Sequence, residues 1–156
     1  MGWKNDHHGL LFKSGELKLY RQTHTWGMKL SQLAQQPGTV RIVTYRLPGS
    51  QDDPYYETQI ARRPRNMFVL IGVGDNESQV SRAKALKAQI PQVRVAVHPA
   101  LHIKAISIEP KTLYVGSANF GNSSWADLTL GIRSAEAHDY FVKDVFDSLW
   151  TAGTEL

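Results

Sequence analysis

The sequence predicts an α/β domain in which a mixed β-sheet is flanked by helices. Strand-like apolar segments alternate with helical segments through the middle of the chain, which is typical of layered α/β folds. Closely spaced strand-like segments then follow one another, which indicates an antiparallel hairpin within the same sheet. The chain has 156 residues and a hydrophobic content of 42%, so we expect a single domain over residues 1–156.

The first half of the chain contains two strand-like segments on either side of a helical one. Polar and apolar residues alternate over residues 16–20, which predicts a strand. Apolar residues recur near helical spacing over residues 26–36, and Pro37 ends that helix. Residues 40–47 are rich in β-branched side chains and predict the next strand.

The second half begins with a continuous apolar run at residues 67–73, typical of a central strand covered on both faces. Asn76 is placed to cap a helix whose apolar residues form one stripe and which Pro91 ends. Four strands are predicted next, over residues 93–97, 101–108, 113–119 and 128–132. A final helix is predicted over residues 135–150, because its apolar residues repeat at i, i+4 and i+8.

Positive charge is concentrated in the first half of the chain. Lys and Arg number 18 against 14 Asp and Glu, which gives a net charge of +4 and a pI near 9.4. The excess lies within residues 1–65, and such a pI favours a polyanionic partner. Arg62, Arg63 and Arg65 form the densest cluster, around Pro64, which keeps them out of a regular helix. This cluster predicts either a loop that grips phosphate or a solvated loop.

Composition excludes several classes of protein. The absence of Cys excludes a disulfide scaffold, a cysteine-ligated metal site and a thiol nucleophile. No apolar run approaches the roughly 18–20 residues of a membrane span. The polar N-terminus also lacks the layout of a secretory signal. We therefore expect a cytoplasmic protein without a membrane span.

Residues 101–120 form the candidate catalytic hairpin. Side chains alternate along a strand, so we expect His102 and Lys104 to share one face of the first strand, and Ser117 and Asn119 one face of the second. An imidazole can attack phosphorus or protonate a leaving oxygen. An ammonium, a hydroxyl and an amide can hold the phosphate oxygens, which gain charge in the transition state. The four side chains predict phosphodiester chemistry that needs neither a metal nor another cofactor.

The spacing of these residues carries a family resemblance. The pattern His-x-Lys, four residues, an acidic residue, six residues and Gly-Ser-x-Asn, which runs from His102 to Asn119, resembles the HKD motif of the phospholipase D superfamily. The resemblance implies a phospholipase D-like fold in which Glu109, where the family usually has Asp, supports the structure. The family also uses a later acidic residue to orient the catalytic imidazole, and Asp127 is the best match.

The sequence contains one such motif. Family members with two motifs build one active site from both. The resemblance therefore implies a homodimer in which the two copies of His102 meet across a two-fold axis. One imidazole would form a covalent phosphohistidine, and the other would protonate the leaving oxygen and then activate water.

Small single-motif members of the family are mostly nucleases. The resemblance therefore implies a metal-independent nuclease, with DNA favoured over RNA as the substrate and with endonuclease or exonuclease action left open. Arg62, Arg63, Arg65 and Trp125 are candidate nucleic-acid contacts, through phosphate binding and base stacking. Two alternatives stay open, namely a phospholipase or phosphatidyl transferase, and a protein that binds nucleic acid without cleaving it.

Overall fold

The computed structural model describes residues 10–22, 38–47, 67–120 and 126–156, so the helix expected at residues 26–36 lies outside the described residues. The strands of these ranges are β1 (Leu10–Ser14), β2 (Leu17–Gln22), β3 (Val40–Thr44), β4 (Met67–Gly72), β5 (Arg94–His98), β6 (Ala105–Ile108), β7 (Thr112–Gly116), β8 (Asp127–Arg133) and β9 (Thr154–Glu155). They form one sheet with the order β1-β2-β8-β7-β6-β3-β4-β5-β9.

The sheet is mixed, as the sequence predicts. Strand β4 pairs in parallel with β3 and β5, whereas the remaining described pairs are antiparallel. The predicted hairpin is the pair β6 and β7, and β6 also lies antiparallel against β3. The hairpin is therefore built into the middle of the sheet rather than attached at its edge.

Helix α1 (Glu77–Gln89) packs on one face of the sheet. Asn76 caps its first turn as predicted, because the Asn76 side chain accepts a hydrogen bond from the backbone N–H of Ser78. Leu86 of this helix shares an apolar core with Ile42 of β3. Burial of such a side chain contributes about 1.5–3 kcal/mol, so this core is a main source of stability for the central strands.

A C-terminal helical region packs on the opposite face. It consists of α2 (Ala135–Tyr140), a π-helical stretch (Phe141–Phe146) and α3 (Asp147–Ala152), which together match the predicted final helix. Phe146 from this region shares a second apolar core with Val43, the residue after Ile42 in β3. Helices thus cover both faces, which confirms the predicted fold class.

Three neighbouring strands are shorter than the sequence predicts, all at the same end. Strand β3 ends at Thr44 rather than at residue 47, β6 begins at Ala105 rather than at residue 101, and β7 ends at Gly116 rather than at residue 119. The register pairs Val43 with Ala105 and Ala105 with Val115, so the three shortened ends lie side by side at one end of these strands.

Close packing at the end of β4 explains the late start of β6. A Cβ atom on Gly72, the last residue of β4, would collide with the carbonyl oxygen of Leu101. The chain at Leu101 therefore lies against the end of β4 instead of extending β6. Only Lys104 keeps a ladder-like bond there, since its carbonyl accepts from the N–H of Gly116 at 3.2 Å.

Within the described ranges, no helix has both the length and the apolar character needed to cross a membrane. The cytoplasmic location stays a prediction.

Candidate active site

The predicted catalytic residues lie at the shortened ends of strands β3, β6 and β7. The expected strand geometry is wrong for the four hairpin residues, because each lies beyond a strand end instead of within it. His102 and Lys104 lie just before β6, and Ser117 and Asn119 lie just after β7. Asp127 is the first residue of β8, which pairs with β7. Loops anchored on neighbouring strands, rather than strand alternation, bring the residues to one place.

His102 and Lys104 are in direct contact. The Lys104 Nζ atom lies 3.0 Å from Nδ1 and 3.5 Å from Nε2 of His102. A neutral imidazole has one ring nitrogen with a free lone pair, so Lys104 can donate to only one of the two nitrogens, and the tautomer decides which. The contact places the positive charge of Lys104 directly beside the imidazole of His102.

Tyr45 completes this cluster, and the sequence analysis missed it. Its ring centroid lies 4.5 Å from that of His102 with an interplanar angle of 36°, and Lys104 Nζ lies 5.6 Å from the same centroid. Tyr45 follows directly after β3, whereas His102 precedes β6, so only the pairing of those strands brings them together. No sequence signal singles out this tyrosine.

The charge on Lys104 is tuned by its surroundings. Burial lowers the pKa of Lys104 from its ordinary value, while the nearby Asp127 and Tyr45 act in the opposite direction. Desolvation has this sign because it disfavours the charged form of an amine. The ammonium therefore sits in a partly dry environment, where its attraction for a phosphate oxygen is stronger than in bulk water.

Ser117 is held by the start of β8. Its hydroxyl donates to Oδ1 of Asp127 at 2.9 Å and accepts from the N–H of Leu128 at 3.1 Å. The N–H of Ser117 in turn donates to the carbonyl of Leu128 at 3.0 Å. Gly116 permits this approach, because a Cβ atom there would collide with the same carbonyl. The bond found for Asp127 is thus to Ser117, and its role towards His102 stays a prediction.

A buried threonine fixes the loop that bears Asn119. The Thr44 hydroxyl accepts from the N–H of Phe120 at 2.9 Å and donates to the carbonyl of Arg46 at 2.9 Å. It also lies 3.5 Å from Oδ1 of Asn119, a longer contact, and its single proton is already directed to Arg46. Thr44 therefore ties the end of β3 to the loop after β7, a link that the sequence analysis also missed.

Glu109 lies at the other end of β6 from Lys104. Its carboxylate pairs with Arg41 at 3.0 Å and accepts from the N–H of Thr39 at 3.4 Å. The backbone N–H of Glu109 donates to the carbonyl of Thr39 at 3.0 Å. These contacts join the hairpin turn to β3, which supports the structural role that the resemblance implies for this residue.

The candidate nucleic-acid contacts Arg62, Arg63, Arg65 and Trp125 lie outside the described residues. In the ranges that the structure describes, no cluster of His, Asp and Glu has the arrangement of a metal site.

Comparison with solved structures shows the fold. The chain is similar to Nuc from Salmonella typhimurium, a phospholipase D family member, with a TM-score of 0.69, 12% identity and coverage of 90% of this chain and 99% of that one. NucT from Helicobacter pylori has a TM-score of 0.71 and 13% identity, with coverage of 90% and 100%. Phosphatidylserine synthase from Haemophilus influenzae Rd KW20 has a TM-score of 0.62 and 11% identity, with coverage of 93% and 41%.

The chain therefore has a phospholipase D-like fold, which confirms that part of the expectation. The sequence itself matches no protein-family model and no curated protein sequence.

Proposed function

We propose that this protein is a metal-independent phosphodiesterase that cleaves nucleic acid through a phosphohistidine intermediate. The observation that carries the proposal is the contact of Lys104 with His102, 3.0 Å apart just before strand β6 of a phospholipase D-like sheet. A nucleophile beside a cation is the minimum that in-line attack on a phosphodiester needs. Ser117 and Asn119 stand on the neighbouring loop, where they add hydrogen bonds to the phosphate oxygens.

The first step transfers the phosphoryl group, together with its remaining ester substituent, to the protein. A ring nitrogen of His102 attacks phosphorus, so that a P–N bond forms while the bond from phosphorus to the leaving oxygen breaks. The Lys104 ammonium offsets the charge that develops on the non-bridging oxygens. The partner subunit's His102, as imidazolium, gives its proton to the leaving oxygen and becomes neutral.

The second step releases the product. The neutral imidazole of the partner subunit's His102 takes a proton from water, and the hydroxide oxygen bonds to phosphorus as the P–N bond breaks. The products are a phosphate monoester and free His102, and the partner's imidazolium is restored. The protons therefore balance over the cycle without a metal ion, because Lys104 supplies the positive charge.

Asp127 is assigned a positioning role. It accepts the Ser117 proton and counteracts the lowering of the Lys104 pKa by burial. We further assign it the orientation of the catalytic imidazole, in keeping with the family resemblance. A carboxylate at this point keeps Lys104 charged and holds Ser117 ready to turn towards a bound phosphate.

Exposed apolar side chains beside the site support the homodimer. Ile103, between the two catalytic residues, is 36% exposed, and Leu128, next to Asp127, is 51% exposed. Leu17 is 44% exposed and pairs in register with Ile132, which lies on the same face of β8 as Leu128. Exposed apolar side chains of this kind are typical of a protein interface, and a second subunit packed there would bring its own His102 to the site.

The net charge of +4 supports nucleic acid as the substrate. We propose DNA ahead of RNA, and the charge itself fits both. The fold similarity to a phosphatidylserine synthase supports phosphatidyl transfer as the second candidate, because the same histidine chemistry acts on one phosphodiester in a lipid. Nucleic acid binding without cleavage is the third.

The proposal is tested with plasmid DNA, single-stranded DNA, RNA and phosphatidylcholine vesicles, each incubated with the protein in excess EDTA. We expect nucleic acid cleavage that survives the chelator and disappears in His102→Asn. The matched control, Lys84→Gln on the exposed side of α1, is expected to cleave normally. Headgroup release with intact nucleic acids supports the lipid candidate, and binding that is unchanged in His102→Asn without cleavage supports the third.

A further inference from the structure

Arg46 is a cation beside the catalytic cluster that no motif assigns. Its guanidinium carbon lies 5.1 Å from the centroid of the Tyr45 ring. The same ring lies against His102 and within 5.6 Å of Lys104 Nζ. The Arg46 side chain is exposed, whereas Tyr45 is half-buried. One aromatic ring therefore joins the exposed guanidinium to the two catalytic side chains.

Among the arginines whose side chains the structure describes, Arg46 is the one for which neither a carboxylate partner nor a backbone acceptor is found. In the part of the chain whose side chains the structure describes, Arg41, Arg94 and Arg133 pair with glutamates. Arg82 donates to the carbonyl of Leu47. No carboxylate among the described residues pairs with Arg46, so its guanidinium retains its hydrogen-bonding capacity.

The backbone around Arg46 is fixed on both sides. The carbonyl of Arg46 accepts from the buried Thr44 hydroxyl at 2.9 Å. The next residue, Leu47, is fully buried, and its N–H donates to Oε1 of Gln79 at 2.8 Å. Its carbonyl accepts from Arg82 at 2.8 Å. Because this backbone is already anchored, binding of a ligand by Arg46 has to order only its side chain and not the main chain.

We propose that Arg46, seated on Tyr45, forms a second anion subsite that holds the phosphate next to the scissile one in a polynucleotide strand. The inference rests on the proposed function and adds the feature that selects its substrate class. A guanidinium binds two phosphate oxygens at once, and stacking on the ring keeps it in place. A simple phosphodiester has no neighbouring phosphate, so it gains nothing from this subsite.

The test compares two substrates. One is a single-stranded oligonucleotide, and the other is bis(p-nitrophenyl) phosphate, which has a single phosphate. We expect Arg46→Gln to lower kcat/KM for the oligonucleotide by about tenfold and to reduce the salt slope of oligonucleotide affinity by about 0.7. The same variant should leave kcat/KM for bis(p-nitrophenyl) phosphate within about twofold of the wild type, because this substrate has no second phosphate for Arg46 to bind.

Lys84→Gln is the matched control, because it removes one exposed positive charge from helix α1. Equal losses on both substrates in Arg46→Gln, or the same loss of oligonucleotide binding in Lys84→Gln, would overturn the subsite. An unchanged salt slope in Arg46→Gln would do so as well. The slope is measured by fluorescence anisotropy, without cleavage, so an inactive wild-type protein would contradict the proposed function while the subsite is still decided by binding.

Discussion

Tyr45 lies against His102 with the two ring centroids 4.5 Å apart. The two residues are separated by more than fifty positions in the sequence, and the antiparallel pairing of β3 with β6 brings them together. The tyrosine limits the orientations that the imidazole can adopt. It also lies near the Lys104 ammonium and carries Arg46 on its ring.

Replacement of Tyr45 tests this positioning role. An aromatic pair contributes about 0.5–1.5 kcal/mol beyond its buried area. We expect Tyr45→Ala to lower kcat on bis(p-nitrophenyl) phosphate by about two- to tenfold with little change in KM. Tyr45→Phe keeps the ring and should retain most of the activity, which steady-state kinetics would show. A fully active Ala variant, or a Phe variant as weak as Ala, would contradict the role.

The lowered pKa of Lys104 predicts an alkaline limit to activity. The folded pKa lies below the ordinary 10.5, so Lys104 loses its positive charge at a lower pH than an exposed lysine would. We expect kcat/KM to fall on the alkaline side with an apparent pKa below 10.5. Arginine stays charged far above that range, so Lys104→Arg should shift this alkaline fall in kcat/KM to higher pH, whatever the maximal rate of the variant. If kcat/KM fell at the same alkaline pH in the wild type and in Lys104→Arg, Lys104 would be excluded as the group responsible for the fall.

The hydrogen bond from Ser117 to Asp127 predicts coupled effects. A double-mutant cycle with Ser117→Ala and Asp127→Asn should show a coupling of about 0.5–1.5 kcal/mol in kcat/KM. The double variant is thus expected to lose less than the product of the two single losses. Glu136→Gln, an exposed carboxylate change on α2, serves as the control and should combine additively with Ser117→Ala. Strict additivity of Ser117→Ala and Asp127→Asn would show that the bond does not operate in the active protein.

A buried lysine on β2 predicts a pH dependence of stability. Lys18 is fully buried, and its desolvation, together with Arg133, lowers its pKa to about 8. The unfolded chain binds a proton up to pH 10.5, whereas the folded chain releases it near pH 8, so stability rises with pH between these values. We expect the wild-type free energy of unfolding to rise relative to Lys18→Met over that window, by less than about 1.4 kcal/mol per pH unit. Urea unfolding at several pH values would show no such rise if Lys18 kept an ordinary pKa.

The sequence predicts the fold class and the motif residues because both depend on local information. Asn76 is a helix cap within its own turn, and the spacing from His102 to Asn119 needs no knowledge of the sheet. The two cores lie on opposite faces of the sheet because successive side chains of β3 alternate between the faces, so that Ile42 enters one core and Val43 the other.

The prediction fails where distant segments decide the geometry. The start of β6 at Ala105 is set by the packing of Leu101 against the end of β4, which no periodicity within β6 reveals. Tyr45 gains its place beside His102 only through strand pairing, and Arg46 lies against the Tyr45 ring, so neither residue was predicted from the sequence.

The central claim is that His102 becomes covalently phosphorylated during cleavage. Rapid acid-free quenching of the wild-type protein with a diester substrate, followed by peptide mass spectrometry, tests this most directly. We predict an adduct on His102 that carries phosphorus together with its remaining ester group, forms in the presence of EDTA and is absent in His102→Asn. Rapid cleavage with no adduct on His102 in the same quenched samples, or full activity of His102→Asn, would contradict the account.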